Sequence, residues 1–187
     1  MQQRGPRASL VCYSKRVKER DSPMSFRTIL ATAIIATTGL VGAPALAEPG
    51  GHQLIATLRS AGVKVNFGYC PDESGTMGYF AYRTNTWMDA RVQICTDVAT
   101  TTADRWETLR HEAVHVAQKC ENPNHGNTFE TLTSYSFLKN NSTSSDASFV
   151  MSAYPKAKWM IELEAFTLMK HSNYTITKMV NRACFGR

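Results

Sequence analysis

The sequence predicts an α+β fold, with one small antiparallel sheet among several helices. Two textures and their order carry that reading. Residues 63–96 alternate apolar and polar positions between turn signals, whereas the stretches before and after repeat at helical spacing. The resulting order is helix, strands, helix, helix, helix, and 187 residues leave room for one domain beyond a leader.

Leu54, Ile55, Leu58 and Ala61 form an apolar stripe within 50–62, stopped by Gly62, and predict a first helix. Val63, Val65 and Phe67, then residues 78–82, then 91–95, predict two or three antiparallel strands. Turn-forming residues at 71–75 and 84–86 separate them. Helical periodicity returns over 102–120, where Trp106, Leu109, Ala113, Val116 or Ala117, and Cys120 share a side. Thr101 and Asp104 form a capping box at its start, with Asp in place of the usual Glu. Residues 122–127 predict a loop, 128–139 a helix and the polar run 140–146 a surface loop. A last helix is predicted from Pro155 to about His171.

The formal charge of +6 and pI near 9.2 invite a nucleic-acid reading that the distribution of charge removes. Seven Lys and Arg precede residue 48 against only Glu19 and Asp21. The rest holds 14 basic and 13 acidic residues, with no basic patch interleaved with aromatics, so nucleic acid is not an expected partner. The basic segment is a leader, 1–47. Within 24–47, Arg27 precedes an apolar run over 29–41 that ends at Ala45-Leu46-Ala47, the pattern of a secretory signal peptide cleaved after Ala47. That run is shorter than the roughly 20 residues of a spanning helix, so no stable membrane span is expected after cleavage. The expected location is secreted or periplasmic, and residues 48–187 form the single mature domain.

Cys70, Cys95, Cys120 and Cys184 remain after residue 47. Four cysteines in an exported chain predict two disulfides with three possible connectivities. Cys70 and Cys95 flank adjacent strands, while Cys120 ends the long helix and Cys184 lies in the C-terminal tail. The predicted bridges are therefore Cys70–Cys95 and Cys120–Cys184. A zinc knuckle is excluded because no two of the four are closely spaced.

The chemistry is concentrated in His111-Glu112-Ala113-Val114-His115, an H-E-x-x-H motif inside the predicted helix of 102–120. Residues four apart share a helix face with Cβ atoms roughly 5–6 Å apart, so both imidazoles can converge on one Zn²⁺. Glu112 is displaced around the helix and suits the general base that takes a proton from a zinc-activated water. The plainer alternative is two histidines on a solvated face. A catalytic zinc needs a third protein ligand. Gln118 and Glu121 occupy the positions where a metzincin carries Gly and His, so that arrangement is absent. His125 lies beyond the helix in a Pro/Asn/Gly loop. Glu162 and Glu164 are better candidates, since an acidic pair in an apolar helical stretch is costly unless satisfied.

An H-E-x-x-H helix followed by a Glu of an E-x-x-A run, here Glu162 to Ala165, resembles the small gluzincin-type zinc metallopeptidases. The resemblance implies a minimal zincin-like domain with a zinc-dependent peptidase activity on peptide or protein substrates. It implies His111, His115 and Glu162 as metal ligands and Glu112 as the catalytic residue. It also implies an extended substrate paired with the edge strand, for which Arg91–Cys95 is the strand nearest the motif. The chain departs from the pattern at Phe166, where an Asp or Asn often follows the alanine. Tyr135, Tyr154, Tyr174 and His171 have suitable chemistry to stabilise an oxyanion. Two other functions fit the same residues: an amidase acting on a cell-wall or small-molecule substrate, and an exported zinc-binding interaction domain without turnover.

Overall fold

The computed structural model describes residues 48–70, 75–82, 89–122 and 128–186. The leader of 1–47, the turns at 71–74 and 84–86, and His125 lie outside the described residues. Helix α1 spans Gly51–Ser60 and buries Leu54, Thr57 and Leu58. A Cβ on Gly51 would sit 2.3 Å from the Trp106 ring, so only glycine lets α1 approach this closely. The helix ends in a Schellman motif: Gly62 has φ 81°, its N–H donates to Arg59 O, and Val63 N–H donates to Leu58 O.

Strands β1 (Lys64–Gly68), β2 (Gly78–Ala81) and β3 (Arg91–Cys95) form one sheet in the order β1-β3-β2. The α+β class is as expected, but the sheet is mixed rather than wholly antiparallel. β3 inserts between the other two, antiparallel to β2 and parallel to β1. Consequently Arg91–Cys95 is the central strand and cannot serve as a substrate edge. Phe80, Val92 and Ile94 are fully buried against the helices.

Helix α2 (Thr102–Glu121) is the axis of the domain. Its capping box is formed as predicted: Asp104 N–H donates to the Thr101 hydroxyl at 3.1 Å, and Thr101 N–H donates to the Asp104 carboxylate at 3.4 Å. From Thr108 on, burial extends around nearly the whole helix, because the sheet, α5 (Trp159–Leu168) and α6 (Asn173–Phe185) all pack on it. Such a helix has no solvated face on which its central polar residues could lie.

Three boundaries differ from expectation. Residues 128–134 are irregular, and the helix there, α3, covers only Tyr135–Asn141. The amides of Leu132 and Thr133 donate to the Glu164 carboxylate, which holds the backbone out of a helical path, and the Ser134 hydroxyl accepts from Phe137 N–H to start α3. The expected loop over 140–146 is instead the junction of α3 with α4 (Ser144–Ala153), which opens on a second capping box between Thr143 and Asp146. Pro155 introduces a short 3₁₀ turn, Lys156–Lys158, before α5 begins. Helix α6 is an addition that the sequence reading did not contain.

Both predicted disulfides are present, Cys70–Cys95 joining the ends of β1 and β3, and Cys120–Cys184 joining α2 to α6. They fit an oxidising compartment outside the cytoplasm. Among the described residues no helix is long and apolar enough to cross a membrane.

Candidate metal centre

His111 and His115 stand one turn apart on α2, and α5 brings Glu162 against them. The two Nε2 atoms are 3.1 Å apart, and Glu162 Oε2 lies 3.6 Å from His111 Nε2 and 3.4 Å from His115 Nε2. Two ligand atoms at about 2.05 Å from one tetrahedral zinc would be separated by about 3.3 Å. The three observed separations bracket that value. All three side chains are completely buried and together could hold a metal ion.

The unsatisfied atoms point the same way. Neither oxygen of Glu162 nor of Glu112 has a hydrogen-bond partner of good geometry, although both side chains are fully buried. Two such carboxylates beside each other are costly unless a cation or a proton compensates them. Burial pushes the Glu112 carboxyl up to about 8, against the pull of His115 and, more weakly, of the Phe80 backbone. Burial likewise lowers His111. Burial acts to lower His115 as well, but the charge and hydrogen bonding of Glu162 override it and hold His115 at about 9. Burial opposes ionisation of Glu162, yet the two histidines keep it down at about 2. Two imidazoles and a carboxylate are groups that bind divalent metals, the imidazoles as neutral ligands, so that binding an ion here would displace any proton from the Nε2 atoms.

Glu164, the rival ligand, is equally buried but is directed elsewhere. It accepts from Gln118 Nε2 at 2.8 Å, from the amides of Leu132 and Thr133 at 2.9 and 2.7 Å, and from the Thr133 hydroxyl at 2.6 Å. Phe166, the departure from the resembled pattern, packs edge-on against the His111 ring with centroids 4.6 Å apart, and Phe129 lies 5.9 Å from His115. Apolar residues thus occupy the surroundings of both imidazoles, which lowers the local dielectric and strengthens any charge interaction there.

Of the oxyanion candidates, Tyr135, Tyr174 and His171 are exposed, with Tyr174 engaged by Lys178 on its ring. Tyr154 is the one near the centre, packed on Phe166 behind His111. Sequence reading passed over Gln118, whose Oε1 is 2.7 Å from His115 Nδ1. Its place three residues after His115, on the same helix face, was the available signal.

No curated protein and no solved structure matches the chain. One family does, described as Domain of unknown function (DUF8637), over residues 51–185, from the first residue of α1 to the last of α6. With most of its length matched, this chain belongs to the DUF8637 family.

Proposed function

We propose that the protein is an exported zinc-dependent peptidase that hydrolyses peptide bonds. The observation that carries this reading is the convergence of His111, His115 and Glu162 on one point, with Glu112 beside them, buried and without a hydrogen bond of good geometry. His111, His115 and Glu162 would hold the metal with three protein ligands, the number that catalytic zinc sites use. When bound, zinc supplies the Lewis acidity that acidifies a water and polarises a carbonyl.

The protein's own residues have separable tasks. His111 and His115 present Nε2 from successive turns of α2, and Glu162 supplies the anionic ligand from α5. Glu112 takes the proton of the attacking water on its carboxylate and delivers it to the departing amine. The edge strand on the side of Glu112 is β2, whose Phe80 backbone contacts the Glu112 environment, so β2 replaces β3 as the strand an extended substrate would join. The ligands and Glu112 have no solvent exposure, so substrate reaches them only when the covering residues move aside.

Full burial also favours a second reading, an exported interaction domain in which the metal is structural. A structural zinc is usually closed by four protein ligands, whereas three converge among the described residues. One experiment separates the two: zinc content of the purified disulfide-bonded protein, with cleavage of an unfolded protein substrate before and after chelation. Stoichiometric zinc with chelator-sensitive cleavage supports the peptidase. Stoichiometric zinc without cleavage of any peptide leaves the structural reading, and no zinc refutes both.

A further inference from the structure

We infer that Gln118 and Glu164 are positioning residues that fix the tautomer and orientation of His115. The inference deepens the proposed function and rests on His115 being a metal ligand.

The hydrogen bonds determine it link by link. Glu164 receives four donors, from Gln118, the two amides of Leu132 and Thr133, and the Thr133 hydroxyl. Its oxygen facing Gln118 is an acceptor, so the Gln118 group opposite must be the amide nitrogen. Gln118 Nε2 also reaches the carbonyl of Ile161 at 3.0 Å, a second acceptor that allows only the same assignment. With Nε2 so placed, Gln118 Oε1 faces His115 Nδ1 at 2.7 Å. An amide oxygen can only accept, so His115 Nδ1 must carry its proton. The unprotonated lone pair is then free to be at Nε2, the atom directed at His111 and Glu162.

Each partner blocks an alternative. If the Gln118 amide turned over, its NH₂ would face His115 and its oxygen would face both the Ile161 carbonyl and the Glu164 carboxylate, two repulsive contacts. A buried chain of this kind is rigid because every member is satisfied. It also reaches across the domain, from α2 through α5 to residues 132–133, so the segment carrying Phe129 is tied to the same network as His115. Partners of this sort on a ligating histidine commonly change metal affinity by about 10–100-fold.

The test compares the full disulfide-bonded protein with Gln118→Met and Glu164→Gln. Gln118→Met keeps the length and apolar packing of the side chain while removing the acceptor. Glu164→Gln places an NH₂ where two donors already point and competes for the Gln118 orientation, which provides a second variant should the first fail to fold. Zinc dissociation constants are measured by competition with a chromogenic chelator, and the His115 Nδ1–H proton is followed by long-range ¹H–¹⁵N spectra. The expected result is a protected His115 Nδ1–H in the wild type, with or without zinc, that disappears in Gln118→Met. Zinc binding should weaken about 10–100-fold in Gln118→Met and measurably in Glu164→Gln. A wild type lacking the protected proton, or a folded Gln118→Met with unchanged zinc affinity, overturns the positioning role alone. A wild type that takes up no zinc overturns the metal centre itself, and the positioning role with it.

Discussion

Replacing Glu112 by Gln isolates the proposed chemistry from the fold. The side chain is fully buried and its two oxygens have no hydrogen bond of good geometry to lose, so an amide of the same size fits without breaking a contact. Stability should change by less than about 1 kcal/mol, a shift of about 2–4 °C in Tm for a domain of this size. What disappears is the proton acceptor. Loss of a general base lowers turnover by about 10²–10⁴, equivalent to about 2.7–5.4 kcal/mol at 1.36 kcal/mol per tenfold. The assay combines zinc content after dialysis, thermal unfolding, and kcat for cleavage of an unfolded protein. Zinc content near wild type with kcat reduced by at least a hundredfold supports the assignment. Wild-type kcat in a zinc-loaded Glu112→Gln protein refutes the base. Loss of zinc from that variant would instead make Glu112 a ligand and displace Glu162 from the reasoning.

Glu162→Ala should abolish stoichiometric zinc after dialysis, whereas Glu164→Ala should retain zinc at reduced affinity. Glu164→Ala should lose stability by about 3 kcal/mol or more, because two backbone amides, a hydroxyl and an amide side chain lose their acceptor; equal zinc loss in both variants would contradict the division. Removing the Cys120–Cys184 bridge with a paired Ala substitution should cost about 4 kcal/mol in chemical denaturation, from the chain entropy of a 64-residue separation, and an unchanged midpoint would refute that. Thr143→Ala should cost about 1 kcal/mol through the cap of α4, measured by urea unfolding at neutral pH. Burial raises Asp146, but the hydrogen bonds from Lys170 and Thr143 outweigh it and leave its carboxyl below the ordinary value. With the folded value depressed, the stabilisation by Asp146 is complete above the ordinary carboxylate range and is lost as pH falls through the folded value. An Asp146→Asn protein should therefore be less stable than wild type at neutral pH and converge with it in acid; a gap that persists in acid would contradict the assignment.

The parts of the fold that announce themselves locally were legible in the sequence. The Thr101–Asp104 capping box, Gly62 as a helix stop, and the H-E-x-x-H spacing each encode a geometry within a few residues, and each is found as read. The same logic should have revealed α4, since Thr143 and Asp146 repeat the spacing of Thr101 and Asp104. The Ser- and Asn-rich composition of 140–146 hid it. Helix α6 carried Ile176, Val180 and Ala183 at helical spacing, all buried, diluted by Thr and Asn around them. Sheet pairing was not legible, because nothing within a strand states which neighbour will insert beside it. The parallel β1–β3 pair arises from a non-local arrangement of whole segments.

The choice between Glu162 and Glu164 shows why helical periodicity reaches only part of the way to a site. A turn of about 200° between them suggests that one faces inward and the other elsewhere. In the fold both are fully buried, because α5 is wedged among α2, α3 and α4 and is apolar around most of its circumference. Burial therefore does not distinguish the ligand from its neighbour. The distribution of donors does. Glu164 is saturated by four hydrogen bonds, whereas Glu162 faces two imidazole nitrogens and has no backbone or hydroxyl donor of good geometry. One carboxylate has its charge dispersed into the protein, and the other keeps its lone pairs directed at a point shared with His111 and His115. That contrast is set by residues 132–133 and Gln118, which lie 29 or more positions from either glutamate in the sequence. A pattern search confined to α5 could not have reached it.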